Sequence, residues 1–169
     1  KEDPSGSSAG SAVSVTLNLA PVAVGTETGG SIMSPAMQNG IVGIKPTLGL
    51  VPRTGIVPIS STLDTAGPMA KNVTDAAVLL SILRGIDESD PITLEKGPDK
   101  VDYTKYLKKD ALKGARIAIN RDNYDKLSDP YKKAFNDIVA TLKKADAIII
   151  EDLPIKQTKL IFNIMKYEF

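Results

Sequence analysis

The stretch from Arg116 to Ile150 constrains the architecture more than any other. Arg116-Ile117-Ala118-Ile119 reads as one strand and Ala147 to Ile150 as a second, β-branched one. Between them, Ser128-Asp129-Pro130 opens a helix whose residues Tyr131, Ala134, Phe135, Ile138, Val139 and Leu142 keep a 3.6-residue apolar period. Strands joined by a crossover of that length run parallel and connect right-handedly. The predicted class is therefore α/β, a mixed twisted sheet with helices on both sides.

Ahead of this unit, Ala9 to Leu19 is small and apolar on nearly every side, which predicts a buried helix ended by Pro21. Val22-Ala23-Val24 predicts a short strand entering a loop at Gly25. Pro35 to Gln38 predicts one helical turn, Ile41 to Ile44 another strand, and Gly49 to Thr65 ordered loop. Asn72 or Thr74 caps a helix carrying Val73, Ala76, Ala77, Leu80 and Leu83, with Gly85 as its left-handed C-cap. One partial domain over 1–169 follows: a core over 1–85, a connector over 86–113, and a βαβ unit over 114–169 with a last helix beginning near Leu160. The chain opens just before a Gly/Ser loop and stops at Phe169 inside an amphipathic pattern, so it reads as part of a longer protein.

Composition narrows the chemistry. With 21 basic and 20 acidic residues the formal charge is +1, which offers no general attraction to nucleic acid or anionic lipid. No apolar run reaches the roughly 18 residues of a membrane span. The absence of cysteine removes disulfides, thiolate metal sites and a cysteine nucleophile; the absence of histidine removes Ser-His-Asp catalysis and imidazole ligation. No metal and no cofactor are expected. Cytoplasm is the expected compartment, with secretion or the cell envelope left open because the true N-terminus lies upstream.

Two Ser/Gly-rich loops remain, Gly6-Ser7-Ser8-Ala9-Gly10-Ser11 and Gly25-Thr26-Glu27-Thr28-Gly29-Gly30-Ser31. In the second, Gly29 and Gly30 allow a sharp corner that exposes successive N–H groups, and Ser31 follows at the start of a short helix. Such a corner can bind an anion, or the oxyanion of an acyl-transfer intermediate. A lone Gly-Gly-Ser is more often a plain turn with a capping serine. Two such loops flanking a buried helix and a strand make a stronger pattern.

The motifs Ser-Gly-Ser-Ser-Ala-Gly-Ser, Gly-Thr-Glu-Thr-Gly-Gly-Ser-Ile and Gly-Ile-Lys-Pro-Thr, continued by Gly49-Leu50-Val51, Gly55-Ile56-Val57-Pro58 and Asp64 to Ala70, resemble the amidase signature family. Its members are serine hydrolases and amidotransferases with a Ser-Ser-Lys triad. The resemblance implies that Ser31 is the nucleophile, and that Ser7, preceded by a cis peptide at Gly6, is the bridging serine. It further implies that the backbone N–H groups of Thr28, Gly29, Gly30 and Ser31 form the oxyanion hole. The family's lysine precedes the first serine loop, where this chain has only Lys1, so the base is expected upstream and the segment alone is expected to be inactive. Lys45, after both serines, is a poor substitute.

The implied activity is hydrolysis of a linear carboxamide on a small molecule or peptide through a Ser31 acyl-enzyme, the second half looking most like bacterial peptide amidases. One alternative is the glutaminase component of a tRNA-dependent amidotransferase. Many family members carry arginine two residues after the nucleophile, and Met33 stands there instead, which weakens that alternative. The contrasting class is a non-catalytic anion-binding or interaction module.

Overall fold

A computed structural model describes residues 3–95, 100–121 and 123–151. They fall into two compact units, the first reaching Tyr106 and the second starting at Leu107.

The first unit is built on an antiparallel sheet in the order β1-β3-β2, with β1 at Val22–Glu27, β2 at Val42–Gly43 and β3 at Thr65–Ala70. Val22 lies opposite Ala70 and Glu27 opposite Thr65, while Val42 meets Ala70 from the other side. The central strand β3 is absent from the sequence expectation. Gly67 and Pro68 look like breakers, and a strand of small residues buried on both faces carries no polar alternation. Pro68 keeps its acceptor, its carbonyl taking the Ile44 N–H at 3.0 Å. Its missing donor faces that same side, where β2 has already ended at Gly43.

Helices α1 (Ala9–Thr16) and α2 (Met33–Gln38) cover one face, where Ala12, Ile32, Ala36 and Met69 form a buried cluster. Helix α3 (Val73–Leu83) covers the other, where Leu80 packs with Val51 and Ala66. The end of α1 comes earlier than predicted and is set by Asn18 rather than Pro21. Asn18 turns left-handed at φ 60°, and the N–H groups of Leu19 and Ala20 reach back to the Ser14 carbonyl at 2.8 and 3.2 Å. Strand β1 runs on through Gly25, Thr26 and Glu27, because these pair with Gly67, Ala66 and Thr65. The second serine loop therefore starts only at Thr28.

Asn72 caps α3: its carbonyl oxygen accepts the Asp75 N–H at 2.9 Å and its amide donates to the Asp75 carboxylate at 2.8 Å. Gly85 is not the predicted left-handed cap. Arg84 already leaves the helix extended, at φ −62° and ψ 134°, with its guanidinium bonded to the Tyr103 hydroxyl. Short 3-10 turns follow at Pro91–Glu95 and Tyr103–Tyr106, the latter donating the Tyr103 N–H to the Ser81 hydroxyl at 2.9 Å.

The second unit is the expected βαβ element. Strands β4 (Arg116–Ala118) and β5 (Ile148–Ile150) pair in parallel, Arg116 with Ile148 and Ala118 with Ile150. Helix α4 (Asp129–Lys144) joins them; it buries Val139, half-buries Phe135 and Leu142, and leaves Tyr131, Ala134 and Ile138 exposed. The chain is thus α/β. The last predicted helix, from Leu160, lies outside the described residues.

Candidate active site

Ile32 decides where Ser31 sits. It is fully buried, and its side chain lies on a floor of glycines contributed by every strand of the sheet. A Cβ added at Gly25 of β1, Gly43 of β2 or Gly67 of β3 would come within 3.0, 3.0 and 3.2 Å of Ile32 side-chain atoms. Only residues without a side chain allow this approach, so the sheet is shaped to receive the residue that follows Ser31.

Thr28 to Ser31 bridge β1 and α2. Gly30 has φ 104°, and its carbonyl accepts the Ser34 N–H at 2.8 Å. The N–H groups of Thr28, Gly29, Gly30 and Ser31 donate no hydrogen bond among the described residues. The loop is held at both ends by carboxylates. Glu27, 5% exposed, accepts the N–H groups of Ile32 and Met33 on one oxygen at 2.8 and 3.0 Å. At the other end the buried Thr28 hydroxyl donates to Asp64. The second Asp64 oxygen accepts the N–H groups of Ile59 and Ser60 at 2.7 and 2.8 Å. Partial burial acts to raise the Asp64 pKa, but the Thr28 hydroxyl, these two N–H groups and the charge of Arg53 outweigh it, and the carboxyl lies below its ordinary value.

The first serine loop comes alongside. The Gly6–Ser7 peptide is cis. The Ser8 N–H donates to the Ser31 carbonyl at 3.1 Å, and the Ser8 hydroxyl both donates to the Thr26 carbonyl and accepts the Thr26 N–H at 3.1 Å. One helical turn on, the Ser11 hydroxyl donates to the Val24 carbonyl at 2.8 Å. Serine side chains thus take the place of a neighbouring strand along the outer edge of β1, satisfying backbone groups that β3 does not reach. The hydroxyls of Ser5 and Ser34 lie 2.6 Å apart and join the first loop to α2.

The two loops named from the sequence are therefore in contact. Ser7 is exposed and Ser31 half-buried, and neither hydroxyl is hydrogen-bonded among the described residues. Such an arrangement leaves a hydroxyl next to successive N–H donors with no acceptor among the described residues, which suits binding of an anion or of an oxygen that becomes one. Met33 opens α2 at 56% exposure, and Lys45 lies exposed beyond β2. Sequence reasoning missed Glu27 and Asp64. Recognising β3 would have found Asp64, since the pairing of Glu27 with Thr65 brings it to the loop.

Among the described residues no helix is long and apolar enough to cross a membrane. A family model described as Amidase matches residues 1–168. An amidase family protein from Bacillus anthracis str. Ames is 43% identical, with a TM-score of 0.88 over 99% of this chain and 33% of that one. The native peptide amidase from Stenotrophomonas maltophilia is 45% identical, with a TM-score of 0.80 over 89% of this chain and 31% of its own. A glutamyl-tRNA(Gln) amidotransferase component from Nitrosomonas eutropha is 44% identical over 88% of this chain and 30% of its own length. The chain spans about a third or less of the curated relatives it matches. With its paired serine loops, its glycine-floored sheet and a match along nearly its whole length, the chain belongs to the amidase signature family.

Proposed function

We propose that this chain is the nucleophile-bearing part of an amidohydrolase that cleaves a linear carboxamide. The row of unbonded N–H groups from Thr28 to Ser31, joined to the first serine loop by the Ser8 N–H on the Ser31 carbonyl, carries this reading. In it, Ser31 Oγ attacks the amide carbon while its proton passes to Ser7, whose own proton goes to a neutral lysine from sequence preceding Lys1. The carbonyl oxygen becomes an oxyanion facing the loop N–H groups, and losing one such donor costs about 3 to 4 kcal/mol of transition-state stabilisation. The C–N bond then breaks, Ser7 protonates the departing amine or ammonia, and the lysine returns a proton to Ser7. Water attacks the ester through the same relay and releases a carboxylate and free Ser31.

Likeness to a peptide amidase favours small-molecule or peptide amides as substrates, with a peptide C-terminal amide the first to test. A second reading, the glutaminase component of a tRNA-dependent amidotransferase, draws on the relative from Nitrosomonas eutropha; Met33, where many members carry arginine, weighs against it. The full-length protein, treated with a fluorophosphonate probe, is expected to label on Ser31 and to lose the label in Ser31→Ala. Folded protein that does not label would sink the acyl-enzyme reading. Amide hydrolysis without partner proteins or ATP would remove the amidotransferase one.

A further inference from the structure

The Thr28 hydroxyl is buried, and a buried hydroxyl needs a partner. The partner is a carboxylate far along the chain, brought to the loop because Glu27 pairs with Thr65. Asp64 is itself fixed, since one oxygen takes Thr28 and the other takes the N–H groups of Ile59 and Ser60. It cannot swing away from Thr28 without giving up these bonds to a charged acceptor, which are among the stronger kinds. Glu27 holds the far end of the loop through Ile32 and Met33. A carboxylate behind an oxyanion site would repel the developing charge, but Asp64 is already engaged by N–H and O–H donors and feels the charge of Arg53.

From this geometry we infer that Asp64 is a positioning residue, which acts through the Thr28 hydroxyl to hold the Thr28–Ser31 turn, and with it the N–H groups of that turn, in one arrangement. Its effect on catalysis rests on the acyl-transfer reading; its effect on loop order does not. Asp64→Asn weakens the acceptor, Thr28→Val removes the donor, and Thr28→Ser keeps it.

The test uses the full-length protein with two readouts. The first is hydrogen–deuterium exchange of the peptide holding Ile32, Met33 and Ser34, whose N–H groups are bonded to Glu27 and to the Gly30 carbonyl. The second is the rate of fluorophosphonate labelling, together with kcat and KM for a peptide amide. Asp64→Asn and Thr28→Val should each speed exchange and lower kcat by about ten- to a hundredfold with KM little changed, the loss expected for a hydrogen bond to a charged group. Thr28→Ser, which keeps the hydroxyl donor, should recover most of what Thr28→Val loses in both readouts, and the double variant should be no worse than the worse single one. Unchanged exchange in both single variants overturns the inference. So does loosened exchange with unchanged kcat, or multiplicative losses in the double variant. Loosened exchange in the variants of a parent that never labels would instead sink the acyl-enzyme reading and leave the clamp standing. Should Asp64→Asn fail to fold, the comparison of Thr28→Val with Thr28→Ser still decides: equal behaviour of the two overturns the inference.

Discussion

Replacing Gly67 with alanine should be the most damaging one-methyl change in the sheet. Its Cβ would lie 2.0 Å from the Ile44 carbonyl oxygen, 2.8 Å from Pro46 Cδ and 3.2 Å from Ile32 Cδ1. The carbonyl has to retreat by about 1 Å even to reach a 3.0 Å separation, and it belongs to the residue whose N–H donates to Pro68. Overpacking costs about 1 to 3 kcal/mol and a buried acceptor left unpaired about 1 to 3 more, so a loss of about 4 kcal/mol is expected. That is a large part of the 5 to 15 kcal/mol typical of a domain. Urea denaturation of the intact protein measures it as a lower midpoint at constant slope. Gly10→Ala is the control: Gly10 lies within α1 with nothing within 4 Å of its added Cβ, and it should gain a few tenths to about 1 kcal/mol. A Gly67→Ala protein within about 1 kcal/mol of the parent, the least that overpacking should cost, would refute the close-approach argument.

Asp90→Asn should cost about 3 kcal/mol, because Asp90 is nearly buried and the Arg53 fork bonds both its oxygens at 2.7 and 3.0 Å; thermal denaturation reads this. The Arg53 hydrogen bonds hold the Asp90 carboxyl below its ordinary value despite burial. Its stabilisation is therefore present above the unfolded pKa of about 3.9 and is lost as pH falls through the lower folded value, so acid titrations should be shallower in Asp90→Asn. Asn72→Ala removes the α3 cap and should cost about 1 kcal/mol with little effect on Ser31 labelling. Ile32→Ala should cost about 2 to 5 kcal/mol and slow labelling as well, because the cavity lies next to Ser31; a stability loss with full labelling would separate the glycine floor from the site.

The βαβ unit was legible because Phe135, Val139 and Leu142 repeat with helical period between two β-branched runs. The two serine loops, which meet through the Ser8 N–H on the Ser31 carbonyl, were legible as motifs because their glycines act locally. Strand β3 was not, because Thr65 to Ala70 are small, buried on both sides and broken by a proline whose tolerance depends on where β2 ends. With β3 unseen, nothing brought Asp64 to Thr28 or extended β1 to Glu27. The end of α3 departs from the sequence pattern for a related reason: Arg84 turns toward Tyr103, a partner beyond the helix, and Gly85 has no left-handed role.

The central position of β3 also sets an order of events during synthesis. Both serine loops leave the ribosome before the strand that unites them, and the pairings of Val22 with Ala70 and of Gly43 with Met69 wait until Ala70 has emerged. Until then Ile32 has no complete floor and Thr28 has no Asp64. A nascent chain halted before Asp64 would carry both serine loops without the central strand and the carboxylate that fix them, with apolar surface open to chaperones.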